Sequence, residues 1–400
     1  MSGAAAEGGV AQWLADHGGL ALEGERVVGE LAERLVAAGV PLRRVMVALN
    51  DVHPEVGARA FRWERGLGHS LDLLPLTART QPDYLVSPVR LIHDGAAAVR
   101  RRIAGPGAEG PLEFPVLEDL KAEGYTDYMA MPLTFSDGSR HFVSWASDAP
   151  EGFSTDALTL LYDLMPLICL RMEIAHARVT SRTLLETYLG ALAANRILAG
   201  RIRRSESEAL AAVLLFADMR GFTHQAERLG AGDLVALLNV FYDAIAAPVA
   251  AHGGDVVKLV GDGILTVFPI EPEASREMLE EVAVHAAHAA QDADRALSGL
   301  APEELPESVS AVAGGFALGY GPVSFGNVGS RARLDFTVIG PTVNEVVRIE
   351  TLTKTLGAPI LASSAFAALV PGVPLASLGV HVLKGMRAPQ EIFSLRPRRG

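Results

Sequence analysis

The sequence predicts an α/β protein in two parts, with a small α/β sandwich in the first half and a split βαβ (ferredoxin-like) domain in the second. In the second half the stretch AVLLFADMRGFT (212–223) begins as an apolar strand that ends on Asp218 and runs into a glycine turn. A helix at 232–251, a hairpin at 256–268, a helix at about 273–298 and a strand ending in glycine follow. The order strand–helix–strand–strand–helix–strand is the split βαβ arrangement. It places the first strand beside the hairpin strands in one antiparallel sheet.

The first half has a different pattern. A helix is expected at 25–39, where apolar residues recur at helical spacing, and a strand at 43–49. Two later strand-like runs are joined by SDGS (136–139), a hairpin signal. The stretch FSTD then predicts the start of a long helix with Ser154 or Thr155 as its N-cap.

A chain of 400 residues is long enough for two or three domains, each with its own core. We place the first domain at 1–179, a helical connector at 180–208 and the second domain at 209–400.

The amino-acid composition and net charge exclude some classes of function. Hydrophobic residues make up 49% and charged residues 20%, which is ordinary for a globular protein. With 35 Lys and Arg against 47 Asp and Glu, the formal charge is −12, so a nucleic-acid partner is not expected. The single cysteine, Cys169, excludes a disulfide framework.

No targeting segment is expected. The start MSGAAAEGGV has neither the basic region nor the apolar core of a signal peptide. The longest nearly apolar run, 234–251, carries Asn239 and Asp243 and has one helical stripe of apolar residues: Leu234, Leu238, Phe241, Ile245 and Val249. We therefore expect a core helix, no membrane span, and a soluble, cytoplasmic protein.

The stretch VVKLVGDGILTVF (256–268) carries the first candidate site residue. Two apolar runs flank Asp262-Gly263, a strong signal for a two-residue hairpin turn, and Lys258 lies in a strand that we expect to be buried. Asp262 is either a turn residue or a metal ligand that the turn positions.

Asp218 ends the first strand of the second domain, so it can meet Asp262 at one edge of the sheet. Two carboxylates repel each other unless a cation lies between them, and hard oxygen ligands select Mg²⁺ or Mn²⁺. Gly221, Phe222 and Thr223 open the next helix, whose free N–H groups favour an anion. A nucleoside triphosphate fits both features, although Asp218 alone is equally typical of a helix cap.

In LDFTVIGPTVNEVVRIE (334–350) a Gly-Pro corner joins a strand to a helix that carries Asn344 and Arg348. These residues are four apart and so share one helix face. An ordinary polar helix surface has the same pattern.

At this point the sequence resembles the class III nucleotidyl cyclases. FADMRGFT and KLVGDG resemble the two metal-binding motifs of that family, while GNVG (326–329) and TVIGPTVNEVVR resemble its substrate-selecting segment. The resemblance covers about residues 210–395, with all four motifs in the family's order.

The resemblance implies that Asp218 and Asp262 hold two Mg²⁺ or Mn²⁺ ions per site. It implies that Lys258 and Thr337 read the purine, a combination that goes with ATP in this family. Thr in place of the commoner Asp is similar to the subgroup often described as bicarbonate-responsive.

Three further roles follow from the resemblance. Asn344 orients the ribose, Arg348 meets the charge that builds on the α-phosphate, and Lys384 in VLKGM reaches the terminal phosphates. Two departures are small: Val346 stands where the family usually has Ala, and GPT replaces a Gly-Asp or Gly-Asn corner.

In the family the metal-binding carboxylates come from one chain, and the other site residues come from its partner. Since this sequence has both sets, the resemblance implies a head-to-tail homodimer with two composite sites.

The segment YMAMPLTFSDGSRHFVSWASDAPEGFS, followed by a long helix, resembles a GAF-type sensor domain in its order of elements. This implies regulation by an unknown small-molecule or protein signal; a dimerising platform without a ligand is the alternative. Tyr128, His141 and Trp145 either line a pocket there or are packed core residues.

We therefore expect an adenylate cyclase that converts ATP to 3′,5′-cyclic AMP and pyrophosphate. The alternatives are a guanylate or mixed-specificity cyclase and a non-catalytic nucleotide-binding signalling module. The acidic balance disfavours a nucleic-acid polymerase.

Overall fold

A computed structural model describes residues 2–16, 23–108, 110–203, 207–271, 273–386 and 388–395. The chain divides into two compact units, residues 1–184 and 185–400, which are described separately.

The first unit is a six-stranded antiparallel sheet with helices on both faces. Its helices and strands, in chain order, are α1 (Ser2–Ala15), α2 (Gly24–Ala37), β1 (Arg44–Asn50), β2 (Val56–Glu64), β3 (Gly68–Pro75), α3 (Pro82–Leu85), α4 (Pro88–His93), β4 (Val99–Arg102), α5 (Pro115–Ala122), β5 (Asp127–Thr134), β6 (Arg140–Ser147) and α6 (Thr155–Leu189), with a 3₁₀ helix at Leu76–Thr80 after β3.

The strand order is β3-β2-β1-β6-β5-β4. The expected hairpin joins β5 and β6, and the Phe135 N–H donates to the Ser139 carbonyl across its turn at 3.0 Å. Ser154 caps α6, since its hydroxyl accepts from the Ala157 N–H at 3.2 Å. Strands β2 and β3 lie outside our sequence prediction.

Side chains of β6 alternate between two apolar clusters, one on each face of this sheet. His141 and Trp145 are buried on the face that packs against α2 and α6. Tyr128 lies on the opposite face, which α4 and α5 cover. The three residues considered as pocket or core residues therefore do not share a face, because Tyr128 pairs with Ala146 and successive residues of β6 point to opposite faces.

The second unit contains an eight-stranded sheet. Its elements, in chain order, are α7 (Ala191–Leu198), β7 (Ser207–Met219), α8 (Phe222–Arg228), α9 (Ala231–Ala251), β8 (Asp255–Val260), β9 (Gly263–Pro269), α10 (Arg276–Ser298), β10 (Gly314–Gly329), β11 (Leu334–Ile339), α11 (Pro341–Leu356), β12 (Ile360–Ser363), α12 (Ser364–Ala367), β13 (Leu375–His381) and β14 (Gln390–Leu395).

The strand order is β13-β14-β12-β10-β7-β9-β8, and β11 pairs with β10. Four of these strands, in the order β10-β7-β9-β8, are antiparallel and form the split βαβ sheet that the sequence predicts. Strand β7 begins earlier than expected because its first residues pair with the far half of the long strand β10.

The expected helical connector at 180–208 is wrong in its second half. Helix α6 ends at Leu189 and α7 follows, but residues 199–203 are not helical, Ser207 already belongs to β7, and 204–206 lie outside the described residues. Gly190 separates the helices with φ of 83°, and a Cβ there would lie 2.5 Å from the Val256 carbonyl oxygen. Only glycine fits this break.

Among the described residues, one helix, α9, is long and apolar enough to cross a membrane, judged by length and composition. Its buried stripe, Leu237, Phe241, Ile245 and Val249, packs with α10 in the core of the second unit. Leu237, and not the expected Leu238, belongs to this fully buried stripe.

Candidate active site

Strand pairing brings the two predicted metal-binding carboxylates together. Asp218 pairs with Gly263 across β7 and β9, and the Met219 N–H donates to the Asp262 carbonyl at 3.1 Å. Partial burial raises the pKa of Asp218; the Asp262 carboxylate within hydrogen-bonding reach raises it further, and the Lys354 charge opposes the shift. The second unit thus holds two acidic groups that repel each other.

The turn that carries Asp262 differs from the predicted one. Val260 pairs with Gly263, so the two loop residues are Gly261 and Asp262, with φ of 63° at Gly261. Gly263 belongs to β9, where a Cβ would lie 2.8 Å from the Phe216 ring. Gly261 therefore allows the turn, while Gly263 allows close packing beside the carboxylates.

The donor chemistry fits a hard divalent cation. Over the part of the chain that the structure describes, no cluster of three or more His, Cys, Asp or Glu side chains is placed to hold a metal ion. Two carboxylates with otherwise open coordination suit Mg²⁺ or Mn²⁺, which keep waters and take further oxygens from substrate phosphates. A cation between Asp218 and Asp262 would also relieve their repulsion.

The corner after Asp218 is fixed by backbone contacts. Gly221 caps α8 with a left-handed φ of 75°, Phe222 packs against the core and Thr223 is exposed. The Arg220 N–H donates to the Ala313 carbonyl at 2.8 Å. An anion at this corner stays a prediction.

Lys258 lies in an edge strand and not in a buried one. Strand β8 pairs with β9 alone, and its second half, including Lys258, is exposed. The Lys258 ammonium forms an ion pair with Asp335, and both side chains are nearly half exposed. Thr337 lies two residues after Asp335 on β11, hence on the same face, and is buried. The structure thus joins Lys258 to the strand face that carries Asp335 and Thr337.

Helix α11 packs closely on β10 because glycines of the strand leave room for it. A Cβ at Gly319 would lie 2.5 Å from Val346, and one at Gly321 would lie 2.6 Å from the Thr342 hydroxyl. Val346, the departure from the family's usual Ala, is fully buried over Gly319. The larger side chain therefore occupies a space that the strand provides.

Asn344 and Arg348 are exposed on α11. They lie two residues from the buried positions Thr342 and Val346, which is about 200° around the helix axis. Among the described residues no hydrogen bond or ion pair joins them to the carboxylate pair. Lys384 is likewise exposed, in the turn after β13. The described part of one chain thus shows no hydrogen bond or ion pair between these three residues and Asp218 or Asp262.

The sequence analysis did not predict two residues that lie near the carboxylates. Glu350 is buried on α11, where burial and the Asp218 charge raise its pKa to about 7. The Tyr242 hydroxyl on α9 donates to the Gly261 carbonyl and so ties the turn to that helix. An acidic residue at a buried helix position of α11 could have indicated Glu350 from the sequence. No sequence pattern indicates the contact of Tyr242.

Comparison with known proteins identifies the class of the second unit. Residues 206–393 match the family model described as "Adenylate and Guanylate cyclase catalytic domain". This part of the chain is a class III cyclase catalytic domain, as the sequence motifs predicted.

Individual curated proteins match part of the chain. An uncharacterized protein of Mycobacterium tuberculosis is 33% identical over 153 residues, which cover 38% of this chain and 26% of that protein. "Adenylate cyclase 1" of Rhizobium meliloti is 27% identical over 182 residues, covering 45% and 27% respectively. The match thus spans about a quarter of the length of these curated relatives.

Among solved structures, a bacterial light-regulated adenylyl cyclase is 19% identical with a TM-score of 0.47. The match covers 65% of this chain and 83% of that chain.

Proposed function

We propose that the chain is an adenylate cyclase that converts ATP to 3′,5′-cyclic AMP and pyrophosphate. The observation that carries the proposal is the pairing of Asp218 with Gly263, which sets the Asp218 and Asp262 carboxylates side by side. Bound Mg²⁺ or Mn²⁺ would lower the pKa of the ribose 3′-hydroxyl and neutralise the triphosphate.

The protein's own groups have separate tasks in this proposal. Lys258 donates to an acceptor nitrogen of adenine, and the Thr337 hydroxyl contacts the same purine edge. Guanine presents a protonated nitrogen and an amino group instead, so a lysine favours adenine. The relative from Rhizobium meliloti is named an adenylate cyclase, which supports ATP as substrate.

Asn344 and Arg348 act on the ribose and on the α-phosphate. A planar guanidinium suits charge that grows on phosphate oxygens as pyrophosphate leaves. Because both residues are exposed and, among the described residues, make no hydrogen bond or ion pair with the carboxylates of their own chain, we propose that a second copy supplies them, and Lys384, in a homodimer.

The assay is purified protein with ATP and Mn²⁺, with cyclic AMP as readout and GTP as the parallel substrate. We expect cyclic AMP from ATP, and Lys258→Glu should move the preference toward GTP. A preference of the wild type for GTP would establish the guanylate cyclase alternative. Absence of any cyclic nucleotide from folded, dimeric protein would leave only the non-catalytic module.

Mixing two inactive variants tests the composite site. Asp262→Ala lacks a carboxylate and Arg348→Ala lacks the guanidinium, so a mixed dimer regains one intact site. We expect activity from the mixture and none from either variant alone. Confirmed mixed dimers without activity would contradict the shared geometry.

We also propose that the first unit regulates the catalytic unit. Removal of residues 1–178 should then change the cyclase rate. An unchanged rate in a folded, dimeric truncated protein would contradict a regulatory role.

A further inference from the structure

The first unit holds a cavity of about 460 Å³ between its sheet and the chain that follows β3. Side chains of β1 and β6 form its floor, and the 3₁₀ helix with α3 and α4 contributes the opposite wall. Protein sites for small organic ligands span roughly 300–1,000 Å³, so this space is large enough for one.

The lining is mainly apolar. Met46, Ala48, Leu74, Val89, Leu120 and Phe142 are among its apolar side chains. This composition suits a ligand whose larger part is hydrocarbon or aromatic.

One lining residue has an unused polar atom. The His93 Nδ1 atom lies 2.9 Å from the Tyr84 hydroxyl, and its Nε2 atom is buried with no hydrogen-bond partner among the residues that the structure describes. Burial first, and the Arg79 and Arg140 charges next, lower the pKa of His93 to about 4, so the ring is neutral at pH 7. With Tyr84 donating to Nδ1, we assign the ring proton to Nε2. Burying a hydrogen-bond donor without an acceptor costs free energy, so we expect a bound ligand to supply the acceptor.

The charges around this donor favour an anion as that partner. Arg44 and Arg79 line the cavity together with Asp83. The Arg140 charge also acts on the His93 ring and the Asp94 charge opposes it, so three arginines stand against two aspartates. We propose that the cavity binds a small carboxylic acid with an apolar body, whose carboxylate accepts a hydrogen bond from His93 Nε2. This site is independent of the cyclase chemistry, since all of its lining residues lie in the first unit.

Competition binding to the full-length protein tests this site. The fluorescent probe is 1-anilinonaphthalene-8-sulfonate, an apolar anion, and the competitors are decanoate and 1-decanol, which share a chain and differ in charge. We expect decanoate to displace the probe at a concentration about tenfold lower than decanol does, since a charge-assisted hydrogen bond adds to the same apolar contact.

Variants locate the binding. His93→Phe should abolish the preference for decanoate while decanol still competes. His69→Phe, on the exposed strand β3 outside the lining, is the matched control and should keep the preference. Ala48→Phe from the floor and Val89→Trp from the opposite wall should each remove the saturable probe site.

Several results would overturn the proposal. Equal competition by decanol and decanoate in the wild type would exclude the carboxylate contact, and this measurement needs no variant. A folded Val89→Trp protein that binds the probe like the wild type would place the binding elsewhere. A preference for decanoate that survives in His93→Phe would remove His93 from the site.

Discussion

The two faces of the catalytic sheet differ in the polarity of the side chains that they carry. The face beneath α9 and α10 is filled by apolar side chains of β7, such as Val213 and Leu215, against Phe241 and a row of alanines on α10. The face beneath α11 has an apolar cluster of its own, which includes Leu214 and Phe216, but it also carries glycines, a buried acid and the Asp218 carboxylate. One face is therefore apolar throughout, whereas the other combines apolar packing with acidic groups.

The alternation of β7 produces this division. Odd-numbered residues of β7 face α9 and α10, and even-numbered residues, ending at Asp218, face α11. The same strand thus contributes to both layers, so the site is built directly on the core.

The largest effect is expected from Asp262→Asn. Loss of the proposed metal ligand should lower the proposed cyclase activity by roughly a thousandfold or more, since metal stabilisation of a transition state is worth several kcal/mol. The free energy of unfolding should not fall, because the repulsion with Asp218 disappears. Steady-state cyclic AMP production and urea unfolding check both. A parallel loss of stability would show that the carboxylate belongs to the core.

The next effect is on the apolar face. Phe241→Ala should lower the free energy of unfolding by about 3–5 kcal/mol, because it opens a cavity in a fully buried site. Val235→Ala on the exposed side of the same helix is the control and should change it by about 0.5 kcal/mol or less. Equal effects in urea unfolding would contradict the packing of α9 against the sheet.

A smaller effect is expected where α11 meets β10. Gly319→Ala places a Cβ 2.5 Å from Val346 and should destabilise the protein by about 1–3 kcal/mol. Adding Val346→Ala should restore part of that loss, since it clears the same space. Thermal unfolding of the single and double variants forms the cycle, and strictly additive losses would show that the two residues do not compete for room.

The last effect is a pH dependence of stability. Glu350 has an ordinary pKa near 4.5 and a pKa of about 7 in the fold, so the folded state binds more protons between these values. Stability should therefore fall as pH rises from 4.5 to 7, by at most about 1.4 kcal/mol per pH unit from this group. Unfolding of Glu350→Gln at pH 5, 6 and 7 should show a shallower decline than the wild type. An identical slope would contradict a proton on Glu350.

The sequence by itself determined the order of elements in the catalytic domain. Period-2 and period-3.6 patterns are local, so they predicted the split βαβ arrangement and the strand that ends at Asp218. They also predicted the helix face shared by Asn344 and Arg348, because residues four apart lie one above the other in any α-helix.

Only the tertiary structure decided which side chains meet across the sheet. Whether the turn is Gly261-Asp262 or Asp262-Gly263 depends on the pairing of Val260 with Gly263, and a shift of one residue reverses every side chain. The exposure of Lys258 follows from the place of β8 at the sheet edge, and its contact with Asp335 joins residues 77 positions apart. Such contacts depend on strand order and close approach, which local composition does not encode.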